Sequence, residues 1–164
     1  MPHYHIFIIL ILSGLVKSFF CDIVLIKLYD YVDARGVNQI AAWTRSLEAT
    51  ERAKLAAKLL ILEKLPVESL PQYLKGPRIQ GEKEIYKLQI GASGSRLALR
   101  PLACRGPFDK DTEITLLVGA VERDNQLAAG AGALAERRRK EIIADPKRRT
   151  THERIERTDR QPSS

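Results

Sequence analysis

The sequence predicts an α+β domain over residues 23–145, in the order strand, helix, helix, three-stranded antiparallel meander and helix. Two patterns predict it: apolar residues recur at helical spacing between residues 38 and 63, and strand-like segments separated by Gly-containing turns follow. With 164 residues the chain has room for one domain and two tails. Hydrophobic residues make up 45% of it, which is enough for a packed core.

The first half of the domain is predicted to hold one strand and two helices. Residues 23–32 are rich in Ile, Val, Leu and Tyr, which is typical of a strand. Asn38 is the predicted N-cap of the first helix. The apolar face of that helix carries Ile40, Trp43 and Leu47. The second helix is predicted to start near Thr50 and to stop before Pro66.

The second half is predicted to be the meander and a last helix. The three strands are predicted at residues 84–90, 96–103 and 113–121. Turns at residues 91–94 and 106–111 separate them. The last helix is predicted over residues 133–144, and Pro146 ends it. Residues 146–164 are almost all polar, and we expect them to form a basic, disordered tail.

A hydrophobic extension, residues 1–22, precedes the domain. Its apolar run over residues 6–16 is as long as the hydrophobic stretch of a signal peptide but shorter than the ~20 residues of a membrane-spanning helix. No stable membrane insertion is therefore expected. Three alternatives stay open: a weak export or anchoring signal, a hydrophobic helix that packs on the domain, or translated upstream sequence from a misplaced start. The last is favoured because a complete domain follows directly.

The charge balance favours a polyanionic partner. Lys and Arg number 27 against 20 Asp and Glu, so the net charge is +7. Such a charge suits nucleic acid, an acidic protein or an anionic membrane surface. Cys21 and Cys104 have no metal-binding spacing and suit a reducing cytoplasm. The three histidines lie in the two tails, so no metal site, cofactor site or His-based triad is predicted.

The candidate functional surface is the basic hairpin around residues 85–102. Its cations are Lys83, Lys87, Arg96 and Arg100. Residues four apart in a strand share a face, so each strand is predicted to project a pair of cations into one groove. Arg123 would close the far side of this groove, and Arg105 would extend its rim. Tyr86 fits either the core or the groove, and Glu122 is interpreted as a partner of Arg123.

A groove of this kind suits RNA cleavage without a metal. Arg and Lys bind phosphate oxygens, and Arg can do so through two hydrogen bonds. RNA carries its own nucleophile, the 2′-OH, so an enzyme has to orient it, stabilise charge on the phosphate and manage the protons. A Lys with a pKa lowered by cationic neighbours would serve as the base. The alternative interpretation is a solvated basic sheet face.

Short motifs along residues 23–145 resemble one protein family. They lie at residues 29–33, 43, 73–76, 86–97, 100–102, 106–107 and 117–123. Residues 86–97 combine a basic strand, an Ala-Ser-Gly turn and a returning Arg-Leu. In order and spacing the motifs resemble the RelE/ParE superfamily of toxins from type II toxin–antitoxin systems, in its phage-derived, Gp49-like or HigB-like branch.

The resemblance implies a RelE-like fold and a metal-independent mRNA endoribonuclease that works at the ribosome without a cofactor. It implies a cognate antitoxin protein that silences the toxin in a hetero-oligomer, in the cytoplasm. The predicted catalytic residues are Lys87, Arg96, Arg100 and Arg123, with Arg96 and Arg100 as rival claimants for one role. The predicted RNA-binding residues are Lys83, Tyr86 and Arg105.

The chain departs from the RelE pattern at three positions. Gln89 stands where RelE-like members carry a second Lys or Arg, and Leu99 replaces an aromatic residue. Leu127 is nearest to the position of a C-terminal Tyr that assists some relatives. Two alternatives therefore accompany the nuclease: a ParE-like, non-nuclease toxin that targets DNA gyrase, and a catalytically inactive relative that only binds RNA or its antitoxin.

Overall fold

A five-stranded mixed sheet forms the centre of the protein in its computed structural model, which describes residues 24–69, 84–90 and 97–154. The strands of this central sheet are β1 (Lys27–Tyr31), β2 (Tyr86–Lys87), β4 (Leu102–Arg105), β5 (Glu113–Val118) and β8 (Arg149–Thr151). A small sheet beside it consists of β3 (Leu97–Leu99), β6 (Val121–Arg123) and β7 (Gln126–Leu127). With the helices, these sheets confirm the predicted α+β class.

The central sheet has the order β2-β4-β5-β1-β8. β1 runs parallel to β5, and the other neighbouring strands are antiparallel. The predicted meander corresponds to β2, β4 and β5, which are antiparallel neighbours inside a sheet of five strands rather than three. Its middle strand is not continuous, which corrects the prediction for residues 96–103. Pro101 lacks an N–H group, and at Arg100 the chain leaves the small sheet and enters the central one.

Three α-helices lie in the described residues: α1 (Gln39–Ser46), α2 (Ala49–Glu63) and α3 (Ala131–Ala144). The predicted N-cap is confirmed, because Asn38 Oδ1 accepts hydrogen bonds from the backbone N–H groups of Ile40 (3.0 Å) and Ala41 (2.9 Å). α2 ends three residues before Pro66, as predicted. None of these helices is long and apolar enough to cross a membrane.

Apolar side chains cover both faces of the central sheet, because successive residues of a strand point to opposite sides. On one face, Leu28 and Leu116 pack with Leu55 and Leu59 of α2. On the other face, Tyr31 and Leu117 pack with α3 residues that include Ile142. The sheet therefore has α1 and α2 on one side and α3 on the other, and both of its faces belong to the core.

The prediction of a disordered tail is wrong for residues 146–154. A 3-10 turn at Pro146–Arg148 leads into β8, which pairs antiparallel with β1 and places Tyr29 opposite Thr151. An edge strand needs only backbone hydrogen bonds, so a polar segment can add to a sheet without an apolar pattern. The rest of the predicted tail, and the extension over residues 1–22, lie outside the described residues.

Candidate functional site: a buried Lys–Glu–Arg cluster

Three charged side chains meet where the small sheet adjoins the central one. Lys87 Nζ lies 2.7 Å from Glu122 Oε1, and Arg100 Nε lies 2.9 Å from Glu122 Oε2. The Glu122 side chain is 8% exposed, that of Arg100 9% and that of Lys87 18%. We call these residues the Lys–Glu–Arg cluster. Lys87 is the member most open to solvent, so an anionic ligand would approach from its side.

The backbone of Arg100 and Pro101 is held by hydrogen bonds to two other segments of the chain, one just after β2 and one between β5 and β6. The Arg100 N–H donates to the carbonyl of Ala120 (2.9 Å), and the next carbonyl, that of Pro101, accepts from Leu88 N–H (2.9 Å). The guanidinium also donates from Nη1 to the carbonyls of Ile90 (3.2 Å) and Leu99 (3.0 Å). Arg100 therefore closes the junction between the two sheets, and its position is set by the fold.

The two cations keep Glu122 ionised. The hydrogen bond from Lys87 is the main cause that lowers the pKa of Glu122, with Coulomb attraction from Lys87 and Arg100 acting in the same direction. Burial acts in the opposite direction and raises the pKa, but its effect is smaller than that of the two cations, so the pKa is lowered overall. Two cations and one carboxylate leave the cluster with a net charge of +1. The cluster therefore holds an ionised carboxylate, whose lowered pKa makes it a weak base, next to an excess of positive charge.

Three of the predicted catalytic residues lie in the part of the chain that the structure describes, and of these it brings together Lys87 and Arg100. Arg123 is exposed and follows Glu122 in β6, so it points to the opposite face of the small sheet. Arg123 thus does not close the predicted groove at this cluster. Arg96 and Lys83 lie outside the described residues.

The other two predicted RNA-binding residues lie elsewhere. Tyr86 is half-buried and packs against the core on the face covered by α2. Arg105 lies three residues along β4 from Leu102, the strand partner of Lys87, which is about 10 Å at the rise of a strand. It donates from Nε to the carbonyl of Lys110 (2.7 Å) and holds the 106–111 turn. Neither side chain contributes to the cluster.

The sequence led us to expect that Glu122 pairs with Arg123, and the structure shows other partners. Glu122 bonds to Lys87 and Arg100 rather than to its neighbour Arg123. Strand alternation is a signal that could have found this, because adjacent residues in a strand point to opposite faces. The choice of Lys87 and Arg100 has no local signal, since these residues lie 35 and 22 positions away.

A second buried carboxylate, Asp30 in β1, holds the C-terminal segment. Its oxygens lie 2.7 Å from His152 Nδ1 and 2.9 Å from Asn38 Nδ2, and they accept from the Glu153 N–H at 3.1 Å. The sequence interpretation left all three histidines in the tails, so this site was missed. Only 9% of the His152 side chain is exposed, so a ligand has little access to it. We therefore interpret the contact between His152 and Asp30 as one that stabilises the fold.

A third ionic group lies at the open end of the α3 face. Arg149 donates to Glu113 through both terminal nitrogens, at 2.7 and 3.2 Å. Its guanidinium carbon stacks 4.0 Å from the ring centre of Tyr29 and 4.5 Å from that of Phe108. Since Glu113 neutralises Arg149, this group leaves no net charge for an anionic ligand. Glu113 is therefore a matched control for Glu122, since both are buried carboxylates paired with an Arg.

Neither a metal site in the described residues nor a similar protein indicates what chemistry the Lys–Glu–Arg cluster performs. Within residues 24–69, 84–90 and 97–154, no group of three His, Cys, Asp or Glu residues is placed to hold a metal ion. Comparisons with protein-family models, curated proteins and solved structures find no match to this chain.

Proposed function

We propose that this chain is a RelE/ParE-type toxin that cleaves mRNA without a metal, and that the Lys–Glu–Arg cluster is its reaction site. The observation that carries the proposal is the hydrogen-bonded contact of Lys87 and Arg100 with the ionised carboxylate of Glu122. RNA cleavage through the 2′-OH needs a proton acceptor beside cations that stabilise the phosphate. The cluster holds both.

The order of elements supports the same proposal. The RelE resemblance implies a strand, two helices, three antiparallel strands and a helix. The chain runs β1, α1, α2, then β2, β4 and β5 as antiparallel neighbours, then α3. The cluster also lies at the hairpin that the resemblance assigns to catalysis, with Lys87 and Arg100 on its two sides.

The roles of the three residues follow from their charges. Glu122 accepts the proton of the 2′-OH, and the 2′-oxygen then attacks the phosphorus. Arg100 and Lys87 stabilise the additional negative charge on the phosphate oxygens. The bond from phosphorus to the 5′-oxygen breaks, and that oxygen takes a proton from Lys87. A proton then passes from Glu122 to Lys87 along their 2.7 Å hydrogen bond, which restores both charges.

A mutation series in the full chain tests the proposal. The native chain is expressed from an inducible promoter, and mRNA ends are mapped beside the Glu122→Gln and Lys87→Met variants. Loss of the proton acceptor is expected to reduce cleavage by about 100-fold or more. Glu113→Gln is the matched control, because Glu113 is also a buried carboxylate paired with an Arg but lies at the other ionic group. It should leave cleavage by the folded protein unchanged.

The burial of the cluster favours a second candidate, a catalytically inactive relative that only binds RNA or an antitoxin. In that case Glu122 neutralises two cations inside the fold and never meets a substrate. The native chain would then produce no new mRNA ends. Growth arrest without new mRNA ends sinks the nuclease proposal, and DNA-damage signalling in its place supports a gyrase-directed toxin.

A further inference from the structure

Helix α2 has a second apolar face, which points away from the core. Leu55, Leu59 and Leu62 form the buried face of the helix. The opposite face carries four apolar residues, Ala53, Ala57, Leu60 and Ile61, between the polar Thr50 and Lys64, and all six are exposed. Leu60 is 40% exposed and Ile61 is 49% exposed. A helix that only borders water normally has polar residues on its outer face, so this face is typical of one that is covered.

The exposed apolar residues continue beyond the helix onto the segment that precedes β1. Val24 is 46% exposed and Leu25 is 48% exposed. Both are attached to the segment that follows α2, because Leu25 forms a β-bridge with Pro66 and the Val67 N–H donates to the Val24 carbonyl at 3.2 Å. The chain that precedes Val24 therefore joins the domain next to the C-terminal end of α2.

We propose that the outer face of α2 is the docking site for residues 6–16 of this same chain. These eleven residues contain no charged side chain, and nine of them are Ile, Leu, Val or Phe. Seven residues, 17–23, connect them to Val24. At about 3.3 Å per residue the connection spans up to about 23 Å. α2 has 15 residues and is about 22 Å long, so the run can reach the whole face.

Tethering favours this occupant over a separate protein. A segment joined by a short linker meets its own domain at an effective concentration in the millimolar range, well above that of most free partners. Two of the four outer residues are Ala, so an apolar segment can approach the helix axis closely. The proposal is independent of the nuclease function, since α2 contributes no residue to the Lys–Glu–Arg cluster.

Site-specific crosslinking in the full chain tests the contact. A photoreactive residue is placed at position 61, and the crosslinked peptides are identified by mass spectrometry. We expect position 61 to crosslink to residues 1–17 within one molecule. Position 143 on α3 is the matched control, because Ile143 is also 49% exposed and lies on the opposite side of the sheet. Equal crosslinking at both positions, or a link between the α2 helices of two copies, overturns the proposal.

Proteolysis gives a second, independent reading. Lys17 is the first Lys or Arg of the chain, so trypsin cleavage there releases the apolar run. Ile61→Lys is expected to raise the rate of cleavage after Lys17 at least tenfold, whereas Ile143→Lys leaves it unchanged. Identical rates in the native chain and in Ile61→Lys contradict docking. If phosphatidylglycerol–phosphatidylcholine vesicles bind the native chain and abolish the position 61 crosslink in favour of lipid adducts, the segment is a membrane anchor and the proposal fails.

Discussion

Gly119 packs directly against the indole ring of Trp43. A β-carbon on Gly119 would lie 2.0 Å from Trp43 Cδ2, far inside van der Waals contact. Trp43 is half-buried on α1 and packs against the core, so its ring has little room to move. The contact lies between β5 and β6, at the point where the chain leaves the central sheet for the small one. Only glycine allows this approach.

Gly119→Ala is expected to lower the free energy of unfolding by about 1–3 kcal/mol, the usual cost of forcing an additional carbon into a packed site. Urea unfolding followed by circular dichroism measures the change. Combining it with Trp43→Leu, which removes the opposing ring, should make the two effects non-additive by about 0.5 kcal/mol or more. Strictly additive effects would show that the alanine methyl group introduced at position 119 does not clash with Trp43.

His152→Ala is expected to destabilise the protein by about 1–3 kcal/mol, because it removes one of the hydrogen-bond partners of the buried Asp30 carboxylate. Chemical denaturation measures the loss. Thr150→Ala is the control on the same strand, since Thr150 is exposed and should change stability by no more than about 0.5 kcal/mol. Equal effects of the two substitutions would mean that the Asp30 contact does not hold β8.

Glu122 makes a pH-dependent contribution to stability. Its pKa is lowered in the folded state, first by the hydrogen bond from Lys87, so its contribution is complete above the unfolded-state pKa of about 4.5. The contribution is lost as the pH falls through the lowered folded-state pKa. The stability difference between the native chain and Glu122→Gln should therefore shrink between pH 5 and pH 3. A difference that stays constant or widens over this range contradicts the assignment.

Cys104 is expected to be unreactive in the folded protein. Burial raises the pKa of its thiol to about 12, so about one thiol in 10⁴ is ionised at pH 8. In a Cys21→Ser variant, Ellman's reagent should detect no thiol until denaturant is added. Rapid reaction under native conditions would show that Cys104 is open to solvent.

Local patterns predicted the helices well. The N-cap of α1 and the end of α2 each depend on residues within one or two helical turns, and both lie where the sequence placed them. The strands were predicted less accurately. Pro101 is a local signal for the break at Arg100, but the path of the chain there also depends on the hydrogen bond from Arg100 to Ala120, twenty positions away, which no local pattern encodes. β8 likewise exists because β1 offers it a free edge.

The basic hairpin also combines features that follow from local sequence with a contact that depends on the tertiary structure. The sequence placed Lys87 and Arg100 on the two sides of one hairpin, and the structure brings them together. No local pattern in the sequence predicted that the Glu122 carboxylate would lie between these two cations. That contact converts a surface of free cations into a group with a net charge of +1 and a carboxylate at its centre, which changes the chemistry that the site can perform.

The amino-acid sequence by itself determined the α+β class, the helices with the Asn38 cap of α1, and the positive charge of the hairpin, because each depends on composition or on neighbouring residues. Only the tertiary structure decided which charges neutralise each other. Glu122 meets Lys87 and Arg100 across 35 and 22 positions. Coulomb energy and desolvation depend on distance and burial in space, and neither quantity exists until the two sheets have packed together.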